Sequence, residues 1–249
     1  MPNSYFQFKQ FIIHQDRCAM KVTTDACLFG AWVAEKIGSQ DPIAIGSEIT
    51  SLLDIGTGTG LLSLMLAQKN ERLLIDAIEI DKEAAMQATE NVNQSPWKNR
   101  IQVISSDVNT FLNNRNYDLI ISNPPFYENE LKSPDGQKNL AHHGEELKLA
   151  QLITIIKNKL AADGQFFLLL PVKRDAEIKE LLLKNELMLT DITFVRQSVN
   201  HDFFRVMIAG RLNAIEAAPA MINEITIKED NQNYTADFTR LLKEYYLHL

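Results

Sequence analysis

The sequence predicts an α/β fold with a seven-stranded, mostly parallel sheet whose last strand pair is antiparallel. Three observations carry this expectation. From about residue 50 onward, short apolar runs of strand character alternate with helical patterns, as a parallel sheet with crossover helices requires. The last two runs are separated only by Gln197–Asp202, too short for a crossover, so they must pair antiparallel. The first run, Ser51–Ile55, leads directly into Gly56-Thr57-Gly58-Thr59-Gly60, a glycine-rich strand-to-helix turn.

The elements follow in order. Residues 1–47 read as a strand and helix extension packed on a core of residues 48–249, a single domain overall. Tyr5–Ile13 is strand-like, with apolar Phe6, Phe8, Phe11 and Ile13, the last two breaking the alternation. Thr23-Thr24-Asp25 supplies N-cap residues for a helix over Ala26–Ile37. Gly38–Ser47 has the composition of a linker. Strands are expected at Ser51–Ile55, Leu73–Ile80, Ile101–Ser105, Tyr117–Ser122, Gln165–Leu170, Met188–Arg196 and Phe203–Leu212. Helices between the first five are expected at Leu61–Lys69, Lys82–Gln94, Val108–Asn113 and Leu147–Leu160. A polar stretch, Tyr127–Glu146, is long enough to be a binding or lid element. Asn231–Asn233 leads into a terminal helix, Tyr234–His248, whose Phe238, Leu241, Leu242, Tyr245 and Tyr246 form an apolar stripe.

Composition narrows the function. With 45% hydrophobic and 23% charged residues the chain reads as an ordinary globular protein. No apolar stretch reaches the roughly 20 residues of a membrane span, and Met1–Gln10 lacks the order of an export signal, so the expected compartment is the cytoplasm. Two cysteines, Cys18 and Cys27, are expected to be reduced and structural; five histidines show no metal-ligand spacing, so no metal is expected. A net charge of −7 argues against a broad nucleic-acid-coating surface and leaves room only for a local basic face.

The glycine turn points to a cofactor. A dinucleotide fingerprint would place its third glycine at position 61, where Leu61 stands instead. The spacing here is Asp54-x-Gly56-x-Gly58-x-Gly60, an acid followed by three alternating glycines. It suits a cofactor without phosphates that carries an amino acid and an adenosine. The glycines admit close backbone approach, and the acid engages an ammonium. Glu79, followed by Ile80, ends the second core strand, where a carboxylate accepts both ribose hydroxyls; Asp107, followed by Val108, ends the third, where it accepts from an adenine amine. Five alternating strands followed by an antiparallel pair is the topology of class I (Rossmann-like) methyltransferases.

The chemistry lies at Asn123-Pro124-Pro125-Phe126, directly after the strand Tyr117–Ser122. Two prolines fix φ and withdraw two donors while their carbonyls still accept. The Asn123 amide oxygen and the Pro124 carbonyl suit the two hydrogens of a planar amine, and the Phe126 ring stacks on its π-system. Such an amine is a weak nucleophile. The two acceptors align it for in-line attack on a sulfonium methyl and stabilise the charge that develops.

With these motifs in place the chain resembles bacterial tRNA (adenine-N6)-methyltransferases that act on valine tRNA. Phe8-Lys9-Gln10-Phe11, Asp16–Val22 with Thr24-Asp25, Glu90–Trp97 with its Ser95-Pro96-Trp97, Ile121–Phe126 and Asp230–Tyr234 carry the likeness over almost the whole length. The resemblance implies S-adenosylmethionine as methyl donor and the adenine just 3′ of the anticodon as target. It assigns Asn123, Pro124, Pro125 and Phe126 to the catalytic corner. Asp54, Gly56, Gly58, Gly60, Glu79, Ile80, Asp107 and Val108 form the donor shell together with Asn123, with Lys21 and Thr24 closing over its methionine end. Lys9, Arg17, Tyr127, Lys132, Lys138, His142 and Arg205 are candidate contacts to the anticodon stem-loop. His142-His143 departs from the family, where an Arg-His pair is expected.

Three rivals remain open at this stage. Glutamine N5-methylation of release factors uses the same corner but has an N-terminal helical bundle, unlike the aromatic start here. Guanine N2-methylation of ribosomal RNA commonly needs a second methyltransferase-like domain, for which 249 residues leave no room. A non-catalytic RNA-binding module on a relic fold would not require the intact acids and the intact Asn123 corner.

Overall fold

A computed structural model describes residues 3–38, 49–111, 113–125, 148–212 and 219–249. The aromatic start folds as a two-stranded hairpin, β1 (Tyr5–Gln7) and β2 (Ile12–His14), not as one strand. The chain turns where the alternation breaks, and Phe8 N–H donates to the Phe11 carbonyl at 2.9 Å. Helix α1 (Thr24–Gly38) follows, with the Thr23 hydroxyl accepting from Ala26 N–H at its start. The core then runs β3 (Ser51–Ile55), α2 (Leu61–Lys69), β4 (Leu74–Glu79), α3 (Lys82–Asn93), β5 (Ile101–Ser105) and β6 (Tyr117–Ser122). It continues with α4 (Leu149–Lys159), β7 (Leu160–Pro171), a short 3₁₀ turn (Val172–Arg174), α5 (Asp175–Lys184), β8 (Leu187–Ser198), β9 (Phe203–Leu212), β10 (Met221–Lys228) and α6 (Ala236–Leu242).

The main sheet has eight strands in the order β10-β8-β9-β7-β6-β3-β4-β5. β9 lies antiparallel between β7 and β8, and the remaining pairs are parallel. All seven expected strands are present; β10 adds an eighth, parallel to β8. Its inward residues, Ile225 and Ile227, are too few to mark it by periodicity. Helix α5 was likewise not expected, because only Ile178 and Leu182 of its ten residues are buried.

Two expected helices need correction. The described residues of Val108–Asn113 are not helical: Asp107 Oδ1 accepts from Asn109 N–H at 2.8 Å, closing a turn that competes with helix propagation. The terminal helix ends at Leu242, since Tyr245 and Tyr246 leave the helical path to pack on the hairpin. Phe8 bridges to Tyr246 there, Lys9 N–H donates to the Tyr245 carbonyl at 2.8 Å, and Tyr245 is itself buried.

Alternation along the strands divides the core between the two sheet faces. Leu52, Leu119, Phe167 and Met207 meet the hairpin and helices α1, α2 and α6, with Phe8, Ile13, Phe29, Trp32, Leu64, Phe238 and Tyr245 in one cluster. Leu53, Ile120, Phe166 and Ile208 meet α4 and α5 through Leu152, Ile153, Ile156, Ile178 and Leu182. Trp32 and Trp97 are core residues, and Cys18 and Cys27 are free and buried. No helix among the described residues is long and apolar enough to cross a membrane.

Candidate active site

The strand order reverses at β3. The chain lays down β3, β4 and β5 outward in one direction, then returns to place β6 on the other side of β3. Loops leaving the carboxyl ends of β3 and β6 therefore diverge and open a crevice. The glycine turn leaves β3 and the Asn123 corner leaves β6. Ile55 pairs with Ser122, so Gly56 and Asn123 leave the sheet at the same level. The Ser122 hydroxyl, donating to the Ile55 carbonyl at 2.8 Å, ties the two strand ends together. Asn123 is half-buried, Pro124 buried and Pro125 exposed. Phe126, Tyr127, Lys132, Lys138 and His142 lie outside the described residues.

The glycines of the turn do different work. Gly56, Gly58 and Gly60 have φ of 71°, 56° and 83°, left-handed values that strain any residue with a Cβ. A Cβ at Gly56 or Gly58 would meet nothing within 4 Å, so the backbone there faces open space. At Gly60 it would stand 3.6 Å from the Ala88 Cβ, so this glycine also sets the packing of the turn on α3. Gly56 and Thr57 N–H both donate to the Ile78 carbonyl, at 2.9 and 3.0 Å, which fixes the turn against β4.

Asp54 lies beneath the turn, fully buried. Its Oδ2 accepts from the Thr57 hydroxyl at 2.6 Å and the Ser63 hydroxyl at 2.7 Å, whereas Oδ1 has no partner. Burial pushes its carboxyl up to about 6, against the pull of those two hydroxyls. A buried carboxylate with an unmet acceptor is suited to a cationic donor. Glu79 is also buried: Oε2 accepts from Gly58 N–H at 2.8 Å and Oε1 from Asp81 N–H at 3.0 Å. Each of its oxygens keeps a second lone pair for a hydroxyl. Ile80, beside it, is 46% exposed, an apolar surface next to these acids. Asp107 is half-buried at the end of β5, while Val108 packs partly on the α4 side of the core.

The N-terminal segment reaches the same rim. Thr24 and Lys21 are exposed, and the neighbouring Asp25 pairs with Arg205 Nε at 2.7 Å. Arg205 opposes Pro171 at the carboxyl end of β7, so it sits on the side of the sheet that carries the corner. Arg17 pairs with Glu90 at 2.9 Å across α3. Lys9 is not brought to the site: its ammonium donates to the Lys243 carbonyl, by the last turn of α2, at the end of that helix away from the glycine turn. No cluster able to hold a metal occurs among the described residues.

The methyltransferase small domain family matches residues 44–169. Curated relatives align over nearly the whole chain. The tRNA1(Val) (adenine(37)-N6)-methyltransferase of Dyadobacter fermentans is 40% identical, covering 98% of both chains. Its namesake from Parabacteroides distasonis is 36% identical over 99% of both. The chain belongs to the tRNA1(Val) (adenine(37)-N6)-methyltransferase family. Solved structures agree in fold: a predicted O-methyltransferase from Agrobacterium tumefaciens is 16% identical with a TM-score of 0.62, covering 88% of this chain and 95% of its own. A human methyltransferase 10 domain containing protein is 23% identical with a TM-score of 0.55, over 78% and 85%.

This methyltransferase is therefore an S-adenosylmethionine-dependent enzyme, and its residues fit that donor: an orphaned buried carboxylate oxygen at Asp54, open backbone at Gly56 and Gly58, and a second buried acid at Glu79 with acceptor capacity to spare. The polar residues that hold these groups, Thr57 and Ser63 on Asp54 and Ser122 on Ile55, are not among the residues the sequence singles out. Nor are Gln87 and Asn91, polar side chains on the buried face of α3. Their signal was available: two amides four residues apart inside a helix whose other inward residues are alanines and Val92.

Proposed function

We propose that this methyltransferase transfers a methyl group to N6 of the adenine 3′ of the anticodon in valine tRNA. The observation that carries the reading is the Asn123-Pro124-Pro125 corner, leaving β6 at the level of Gly56 and tied to β3 through Ser122. The names of relatives 36–40% identical along the whole chain favour adenine in tRNA over a glutamine or a guanine. When bound, the donor supplies a sulfonium methyl as electrophile. The Asn123 amide oxygen and the Pro124 carbonyl accept from the amine, turn its lone pair out of conjugation and stabilise the positive charge on nitrogen. The buried ring of Pro124 keeps that carbonyl in place. No general base is needed, because the methylated nitrogen is acidic enough to release its proton to water. Phe126 stacks on the flipped base and offsets part of its unstacking cost.

In this reading Asp54 takes the ammonium of the donor, Glu79 its ribose and Asp107 its adenine amine. Ile80 and Val108 flank the base, and Lys21 and Thr24 close the methionine end. Arg17 and Arg205 reach the anticodon stem-loop, with Lys132, Lys138 and His142. The first 47 residues act as an extension of the catalytic domain, and the enzyme works where tRNA is matured, in the cytoplasm. Labelled donor incubated with total tRNA stripped of the modification, followed by nucleoside analysis, tests this directly. N6-methyladenosine in one valine tRNA is the expected product. Label in release-factor glutamine or in ribosomal guanine overturns the substrate and leaves the donor site intact.

A further inference from the structure

Two side-chain amides outside the reaction centre join the N-terminal segment to the donor site. Gln87 and Asn91 stand four residues apart on α3, each 1% exposed, so they project from one face of the helix. The Asn91 amide makes three hydrogen bonds. Its Oδ1 accepts from His14 N–H at 2.9 Å, while Nδ2 donates to the His14 carbonyl and to the Thr59 carbonyl, both at 2.9 Å. One amide thus pairs with β2 as a neighbouring strand would, and at the same time holds the residue between Gly58 and Gly60. One turn earlier, Gln87 Oε1 accepts from Arg17 N–H at 3.0 Å and Nε2 donates to Asp16 Oδ1 at 2.7 Å. Between the two amides lies Ala88, the residue on which Gly60 rests.

The segment held this way runs beside the ribose acid. Cys18 is buried, and its thiol is pushed up to about 11 by burial and by the carboxylates of Glu79, Asp81 and Asp16. Gln15 continues the brace, accepting from Val22 N–H at 2.8 Å. Backbone at His14, Arg17 and Val22 is therefore held by the side chains of Asn91, Gln87 and Gln15, and Asn91 also holds Thr59 of the glycine turn.

We propose that Gln87 and Asn91 are positioning residues that hold the His14–Cys18 segment as a wall of the donor site. The inference rests on the donor-site reading of Glu79 and the glycine turn and not on the RNA. It follows that loss of these amides weakens donor binding without removing any group that contacts the donor.

The test uses the whole protein and S-adenosylmethionine alone, so it reads out whether or not valine tRNA is the substrate. Gln87→Glu keeps an acceptor for Arg17 N–H but sets a carboxylate against Asp16. Its dissociation constant for the donor should rise about tenfold by calorimetry, the scale set by one buried hydrogen bond turned repulsive. Adding Asp16→Asn restores a donor and should bring the constant back to within about threefold of the parent, a rescue that general destabilisation cannot produce. Gln87→Met, uncharged and of similar length, should give an intermediate loss and serves if Gln87→Glu does not fold. An unchanged constant in the folded variants, with only the melting temperature lowered, overturns the proposal. So does a loss that Asp16→Asn fails to reverse.

Discussion

Asp54→Asn should make the donor-free protein more stable and at the same time a weaker binder. The carboxyl is fully buried, half of it is unpartnered, and burial lifts it from 3.8 to about 6. Keeping it ionised at pH 7.5 costs the fold about 3 kcal/mol, from 1.36 kcal/mol per unit of pKa. An amide retains an oxygen for the Thr57 and Ser63 hydroxyls and removes the charge. It also leaves its own N–H group unpaired, at about 1 kcal/mol. The net gain of about 2 kcal/mol corresponds to a rise in melting temperature of about 4–8 °C for a chain of this size. Because the folded carboxyl titrates above the unfolded one, the parent is most favoured by this group below about pH 4. It loses that advantage as pH rises towards 6. The variant's gain should accordingly vanish at pH 4 and be complete above pH 7. Thermal denaturation at both pH values reads this, and calorimetry should show donor affinity falling at least tenfold with the charge gone. A variant less stable than its parent at pH 7.5, or a difference that ignores pH, refutes the reasoning.

Other substitutions separate the parts of the site. Asn123→Ala should lower turnover about 10²–10³-fold with donor affinity little changed, as expected for one preorganised polar group; equal turnover in single-turnover assays rejects the corner. Glu79→Gln points an amide N–H at Gly58 or Asp81 N–H and should weaken donor binding by about 1–3 kcal/mol, which calorimetry resolves. Gly60→Ala forces a Cβ into a left-handed residue and should cost about 1–2 kcal/mol in urea unfolding. Gly38→Ala, on an open helix end, should cost nothing comparable.

What the sequence made legible was the part written in local chemistry. Helix α2 was expected at its observed bounds because Gly60 and a run of apolar residues define it. The antiparallel β8–β9 pair follows from a short connection. Asp54, Glu79 and the glycines could be found because their types are unusual at strand ends. Elements with two inward residues, such as α5 and β10, give no periodic signal and are held by neighbours distant in sequence. Asp107 looked like the start of a helix because a side chain that caps its own turn resembles an N-cap. The bracing amides of α3 stand out in sequence as polar residues on an apolar helix face, but their partners, 70 and 77 positions away, do not.

The hairpin that begins the described chain is closed by residues near its end. Lys9 meets Lys243, 234 residues further on, and Phe8 is covered by Tyr246. A ribosome adding 5–20 residues per second needs roughly 10–50 s to span that separation. Through this interval the hairpin lacks its final partners, and the segment that α3 draws against the glycine turn is anchored at one end only. A chain arrested before residue 240 thus carries Asp54, Glu79 and Asp107 yet lacks the residues that seat the hairpin.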